Sequence, residues 1–195
     1  VGYNVRAYAV DLDRLRSLVG SGDESLIATL VSEHAHTLRE VDRLDLGTAG
    51  SAPSAAEALA ALVHGRMDDG ESNFKYGYAL ELACRQLGQE LSNQYWSQMH
   101  GEWFDAVEDA FTELGGKTKV SNDVFWSGPP VELPFIDDFP AIGTVRAEGV
   151  KPLLAELDDA LTKARSSQAH AALRELHGWL LIADRDALGI VTFYY

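Results

Sequence analysis

Phe74-Lys75-Tyr76-Gly77-Tyr78-Ala79-Leu80-Glu81-Leu82-Ala83-Cys84-Arg85-Gln86-Leu87-Gly88-Gln89-Glu90-Leu91-Ser92-Asn93-Gln94-Tyr95 carries Tyr76, Leu80, Ala83, Cys84, Leu87, Leu91 and Tyr95 at steps of three and four. That spacing places them on one side of a helix and predicts a single helix from Phe74 to Tyr95. Ala79 and Leu82 widen the apolar stripe, so the helix is expected to lie deep between other elements. Full burial stabilises by roughly 1.5 to 3 kcal/mol for each large side chain, enough to make this segment the expected organiser of the core.

Upstream, Tyr3, Val5, Ala7 and Ala9 alternate with Asn4, Arg6, Tyr8 and Val10, the two-residue period of a strand. Asp11 offers a cap for a short helix through Leu12, Leu15, Leu18 and Val19, stopped by Gly20-Ser21-Gly22. Leu26, Ile27, Leu30, Val31, His34 and Leu38 predict a second helix reaching Arg43. The residues from Gly47 to Ser54 are nearly all small and read as an exposed loop. Ser54-Ala55-Ala56-Glu57 has capping-box spacing and starts a helix through Leu59, Leu62, Val63 and Met67.

Downstream, Phe104, Val107, Phe111 and Leu114 predict a helix that Gly115-Gly116 ends. From Lys117 to Val145 regular patterning breaks down. Val120, Val124, Phe125 and Trp126 read as one strand, while Pro129, Pro130, Pro134 and Pro140 lack amide donors and forbid long regular structure. Such a stretch inside a compact chain is more often a functional loop than an accident. Val150, Leu153, Leu154, Leu157 and Leu161 then mark a helix with Pro152 expected in its first turn. Ala169, Leu173, Leu176 and Leu180 mark another, Asp184-Arg185-Asp186 turns the chain, and Leu188, Ile190, Thr192 and Tyr194 alternate as a final strand. The fold class that follows is α+β: a mostly helical single domain over 1–195, with the N- and C-terminal strands paired in a small sheet.

At 195 residues and 46% hydrophobic composition the chain can bury a sizeable core without disulfides or metals. Its single cysteine, Cys84, sits on an apolar stripe and reads as a buried thiol in a reducing compartment. The opening Val1-Gly2-Tyr3-Asn4-Val5-Arg6 has no apolar signal region, and no run is long enough to span a bilayer, so a cytoplasmic protein is expected. Thirty acidic against sixteen basic residues give a net charge of -14. That charge repels nucleic acid and anionic lipid and favours a basic protein as partner.

No motif for a cofactor or metal survives inspection. Gly116-Lys117-Thr118 resembles the end of a phosphate-binding loop, but Phe111 stands where the first glycine belongs. His34 and His36 point to opposite sides of a helix, the Glu33–His36 pair lacks a second such pair, and Asp68, Asp69 and Glu71 lack calcium-loop spacing. No nucleophile elbow is present, and Cys84 reads as inert. What remains is aromatic: Tyr95, Trp96, Trp103 and Trp126 are the candidate ligand-binding residues of a cleft roofed by the irregular loop. His100 is the candidate general base there, oriented by Asp137 or Asp138.

The opening Gly2-Tyr3-Asn4-Val5-Arg6-Ala7-Tyr8-Ala9-Val10-Asp11-Leu12-Asp13-Arg14-Leu15 resembles the start of uncharacterised actinobacterial proteins, distantly similar to the YfbM-like family of unknown function. The succession of a helix over Val150 to Leu161, a second helix and a terminal strand is similar to the close of that family. The resemblance implies an α+β fold and carries no catalytic residue across. Two functions are therefore expected in competition. One is a soluble binding protein that neutralises a basic partner in the manner of an immunity protein. The other is a small-molecule enzyme or ligand-binding protein using the aromatic cleft.

Overall fold

A computed structural model describes residues 2–44, 52–70 and 72–195. Glu71, Val1 and most of the small-residue loop expected between Gly47 and Ser54 lie outside the described residues. The elements run β1 (Val5–Val10), α1 (Leu12–Leu18), α2 (Glu24–Glu33), α3 (Ala35–Arg43), α4 (Ala55–His64), α5 (Phe74–Leu87), β2 (Gln89–Glu90), α6 (Trp103–Glu113), a π-helical turn (Ser121–Phe125), β3 (Ala141–Val145), α7 (Ala147–Leu161), α8 (Gln168–Asp186) and β4 (Gly189–Tyr194). The class is α+β and mostly helical, as expected. Contacts gather these elements into two compact units.

The first unit comprises the residues up to Leu12, Gly88–Pro130 and Ala141–Tyr195. Its four-stranded antiparallel sheet has the order β2-β1-β4-β3. The terminal strands pair from Val5 opposite Tyr194 to Val10 opposite Gly189, the pairing that their alternation predicts. One face carries Val5, Ala7, Ala9, Ile190 and Val145. These pack with Val107 and Phe111 of α6, Leu157 of α7, and Leu173, Leu176, Trp179 and Leu180 of α8 in the largest core cluster. One lateral edge of the sheet is covered and the other is short. Gly128 donates to the Ile142 carbonyl, Ser127 Oγ exchanges bonds with the Thr144 backbone, and the edge strand β2 is two residues long. Closed or short edges remove the template on which strands of other chains would pair.

Gly143 shows why this face has its composition. A Cβ there would stand 2.1 Å from the Val124 carbonyl oxygen, so only glycine lets the π-helical turn press on the sheet. Thr192, fully buried on the neighbouring strand, donates its hydroxyl to the same carbonyl at 2.8 Å. The segment expected as a strand around Val120, Val124 and Phe125 is this turn instead. Its steps of four and five residues put Val120, Val124 and Phe125 together on the buried side. The irregular stretch 117–145 thus holds one tight turn and, at its end, a regular strand.

The second unit comprises Asp13–Leu87 and Val131–Pro140. Its helices α4 and α5 pack against each other, and Leu38, Val41, Ala55 and Leu82 form a small core with Phe74 and Tyr78 at its edge. The capping box at Ser54 and Glu57 is present in both directions, and Gly65 closes α4 in a left-handed conformation. Met67 therefore falls outside the helix expected to contain it.

Several boundaries differ from expectation. The long helix read from Phe74 to Tyr95 ends at Leu87, because Gln89 and Glu90 pair with Ala9 and Tyr8, and Leu91 donates to the Ala7 carbonyl. Ladder bonds outside the helix win over a helical period that continues only in sequence. The buried residues of α5 also include Lys75 and Glu81, and the largest core cluster lies in the other unit. The helix expected to reach Arg43 breaks at His34, whose backbone leaves the helical region between α2 and α3. Pro152 is the sixth residue of α7, not in its first turn, so it withholds the ladder bond to the Glu148 carbonyl. Asp184, Arg185 and Asp186 are the last turn of α8, and the reversal falls on Ala187 with φ of 54°.

Candidate functional site

The aromatic residues separate into a core and a rim, both in the first unit. Trp96 is fully buried, with ring centroids 4.7 Å from Phe125, 5.9 Å from Trp179 and 6.0 Å from Phe104. Trp179 anchors this cluster by donating Nε1 to the Ser92 carbonyl at 2.6 Å. Trp126 lies outward, 43% exposed, against Phe104 at 4.9 Å and Tyr194 at 6.4 Å. Tyr95 and Trp103 are half-buried and pack on the same cluster. Phe104 is thus in ring contact with both the buried Trp96 and the exposed Trp126. His100 is exposed just before α6, its carbonyl accepting the Trp103 amide. Asp137 and Asp138 are exposed in the second unit.

A cleft of about 430 Å³ in the first unit is lined by none of these residues. Thr118, Ser127, Thr144, Arg146 and Glu156 face it, at the start of α7. Glu156 accepts from the backbone amides of Lys117 and Thr118 and from the Thr118 hydroxyl at 2.6 Å. Burial pushes its carboxyl up, but those donors outweigh it and hold the group below the usual glutamate range. Of the Gly116-Lys117-Thr118 amides that would cradle a phosphate, those of Lys117 and Thr118 are therefore occupied by a carboxylate, and that of Gly116 donates to the Phe111 carbonyl. Glu108 is held low in the same way, chiefly by the Ser121 hydroxyl.

Cys84 is fully buried, and burial, with Glu81 adding to it, pushes its thiol far above the ordinary range. A thiol so shifted supplies no thiolate at neutral pH. His34 is shifted down, first by burial and then by Arg85, against the opposing pull of Glu33 and Glu81. Among the described residues no group of three His, Cys, Asp or Glu is placed to hold a metal ion. No helix among them is long and apolar enough to cross a membrane.

The segment Val131–Pro140 of the second unit has the geometry that most sets it apart. Asn73, 6% exposed, donates Nδ2 to the Phe135 carbonyl at 2.8 Å and to Asp69 at 2.6 Å, while its Oδ1 accepts the Gly70 amide at 2.9 Å. Asn73 thereby ties the turn before α5 to the backbone of the loop. A few residues on, Ile136 and Pro140 press on Gly77, where a Cβ would stand 2.8 Å from Pro140 and 3.1 Å from Ile136. Between these fixed points Phe135 is 78% exposed and Phe139 37% exposed, with the exposed carboxylates of Asp137 and Asp138 between them. Sequence reasoning singled out the two aspartates and missed the phenylalanines. The signal was there: a phenylalanine on either side of an acidic pair, in a proline-bounded segment with no period to bury them.

The chain belongs to the family described as a domain of unknown function (DUF7691), whose model matches residues 1–195. No curated protein and no solved structure matches it.

Proposed function

We propose that this member of the DUF7691 family is a cytoplasmic binding protein that engages a basic protein through the segment Val131–Pro140, in the manner of an immunity protein neutralising its target. The observation that carries the reading is the pinned backbone beneath a protruding Phe135. A single exposed apolar side chain on a surface is ordinary. One whose main chain is already fixed is different, because docking it into a partner costs little further ordering. Burying a phenylalanine contributes roughly 1.5 to 3 kcal/mol, and aromatic anchors dominate interface energetics. Asp137 and Asp138 beside it, on a chain of net charge -14, select a positively charged partner and accelerate its approach. The match of the family over the whole chain supports treating 1–195 as one functional domain. The YfbM-like relationship and the actinobacterial source are proposed on the resemblance of the opening from Gly2 to Leu15 alone.

The test is site-specific photo-crosslinking in cells, with p-benzoylphenylalanine placed at position 135 and, as control, at Leu181 on the outer face of α8, 49% exposed. The expected result is a discrete adduct from position 135 alone, with a protein of high isoelectric point. Purified with that protein, Phe135→Ala weakens binding by one to two orders of magnitude, and added salt slows association more than it speeds dissociation. Identical adducts from both positions, or an acidic partner, refute the reading.

A second reading keeps the aromatic rim as a small-molecule site formed by Tyr95, Trp103 and Trp126 with His100, and the exposure of Trp126 favours it. Quenching of tryptophan fluorescence by a ligand, lost in Trp126→Phe, is the result it requires.

A further inference from the structure

Beside the pinned segment, within the second unit, lies a hollow of about 450 Å³, in the range of about 300 to 1,000 Å³ typical of small-molecule sites. Its lining combines two chemistries. Val19, Met67, Leu133 and Pro134 supply apolar wall, and Asp69 and Glu132 supply the charge. Leu133 and Pro134 immediately precede Phe135, so the hollow is walled by the same stretch of backbone that carries the exposed ring. Asp69 is fixed by its hydrogen bond from Asn73, the side chain that also holds the Phe135 carbonyl. One buried asparagine therefore positions both the aromatic anchor and one acid of the hollow.

We infer that this hollow is a socket for an arginine or lysine side chain of the basic partner, the aliphatic stem lying on Met67, Val19 and Leu133 and the cationic head meeting Asp69 and Glu132. The inference rests on the protein-binding reading above and adds to it the side chain that the partner must present within one residue's reach of its pocket for Phe135. Long basic side chains have this divided character, an apolar stem below a charged head. A wholly apolar ligand would leave two carboxylates to desolvate without compensation, and an anion would be repelled by both. Arg66 lies between the lining residues Gly65 and Met67 in sequence but is not part of the lining.

The chain has two methionines, Met67 in the hollow and Met99 buried in the first unit, so methyl-carbon-13 methionine labelling gives one reporter and one internal control. The probes are the N-acetyl, N-methylamide derivatives of arginine and lysine, titrated to about 50 mM because an isolated side chain binds in the millimolar range. The neutral citrulline derivative, nearly isosteric with arginine, is the comparison. The expected result is a saturable shift of the Met67 methyl with either cation, little with citrulline, and none at Met99. Glu132→Gln lowers the affinity two- to fivefold, the scale of an exposed ion pair. Equal response to citrulline, no shift at Met67, equal shifts at both methionines, or an unchanged affinity in Glu132→Gln overturns the socket. The probe is too small to need Phe135, so the two readings fail separately. Saturable binding at Met67 without a basic adduct at position 135 refutes the partner and with it the socket's assignment to that partner. A basic adduct without a Met67 shift refutes the socket alone.

Discussion

Gly143→Ala is the sharpest test of how the first unit is assembled. The added Cβ would lie 2.1 Å from the Val124 carbonyl oxygen and 2.6 Å from the Phe125 Cα, which are backbone atoms that no rotamer change can move aside. Either β3 leaves β4 or the π-helical turn backs away from the sheet. Overpacking of this kind costs about 1 to 3 kcal/mol. Retreat of the turn also breaks the 2.8 Å bond from the buried Thr192 hydroxyl to the Val124 carbonyl, and leaving such a pair unmade costs about 1 to 3 kcal/mol more. A loss of about 2 to 6 kcal/mol is expected, a large part of the roughly 5 to 15 kcal/mol typical of folded proteins. At about 2 to 4 °C per kcal/mol for a chain of this length, the thermal midpoint falls by about 4 to 24 °C. The assay is urea unfolding followed by tryptophan fluorescence, which reports Trp96 and Trp179 beside the turn, with calorimetry for the midpoint. Gly178→Ala is the control: nothing lies within 4 Å of its would-be Cβ inside α8, and replacing an interior helical glycine gains about 0.5 to 1 kcal/mol. A Gly143→Ala protein as stable as wild type would show that the turn does not seat on the sheet at all.

Thr192→Val keeps the shape and removes only the donor, so its loss of about 1 to 2 kcal/mol in urea unfolding isolates the hydrogen bond from the clash. Ala187→Gly relieves a left-handed residue that carries a Cβ and raises stability by about 0.5 to 1 kcal/mol after the added chain entropy of glycine, measurable as a higher urea midpoint. Glu156 is held below the usual glutamate range in the folded state, so it stabilises the fold above its unfolded pKa and loses that contribution as pH falls through the folded value. Glu156→Gln is therefore less stable than wild type at neutral pH, and in an acid-unfolding series the difference begins to narrow near the ordinary glutamate value of about 4.3 and closes below the lower folded value.

Where the sequence was legible, the pattern was local and the partner followed from it. The alternation read over Tyr3 to Val10 and over Leu188 to Tyr195 becomes β1, beginning at Val5, and β4, ending at Tyr194, since a strand with buried faces has one register that keeps its apolar residues inside. It was illegible where a distant backbone overruled a local period. Leu91 and Tyr95 continue the helical spacing of α5, yet Leu91 is held by Ala7 at the start of the chain. The strand β3 hid behind Pro140 and contains Gly143, a residue that weakens any strand reading from sequence and is required only because Val124 presses on it.

The candidate site obeys the same logic and explains why only half of it was found. Asp137 and Asp138 announce themselves by charge, which needs no structure to interpret. Phe135 does not, because a phenylalanine in an irregular segment is read by default as buried. The contacts that fix this segment come from some sixty residues earlier: Asn73 holds the Phe135 carbonyl, and Gly77 receives the side chains of Ile136 and Pro140, while the Phe135 ring stays exposed. Composition alone cannot distinguish an aromatic that anchors a loop from one that the loop presents. The distinction lies in which atoms are pinned: here the carbonyl of Phe135 is bound and its ring is outside, whereas Trp96, equally aromatic and placed first in the sequence-based cleft, is enclosed by Phe104, Phe125 and Trp179.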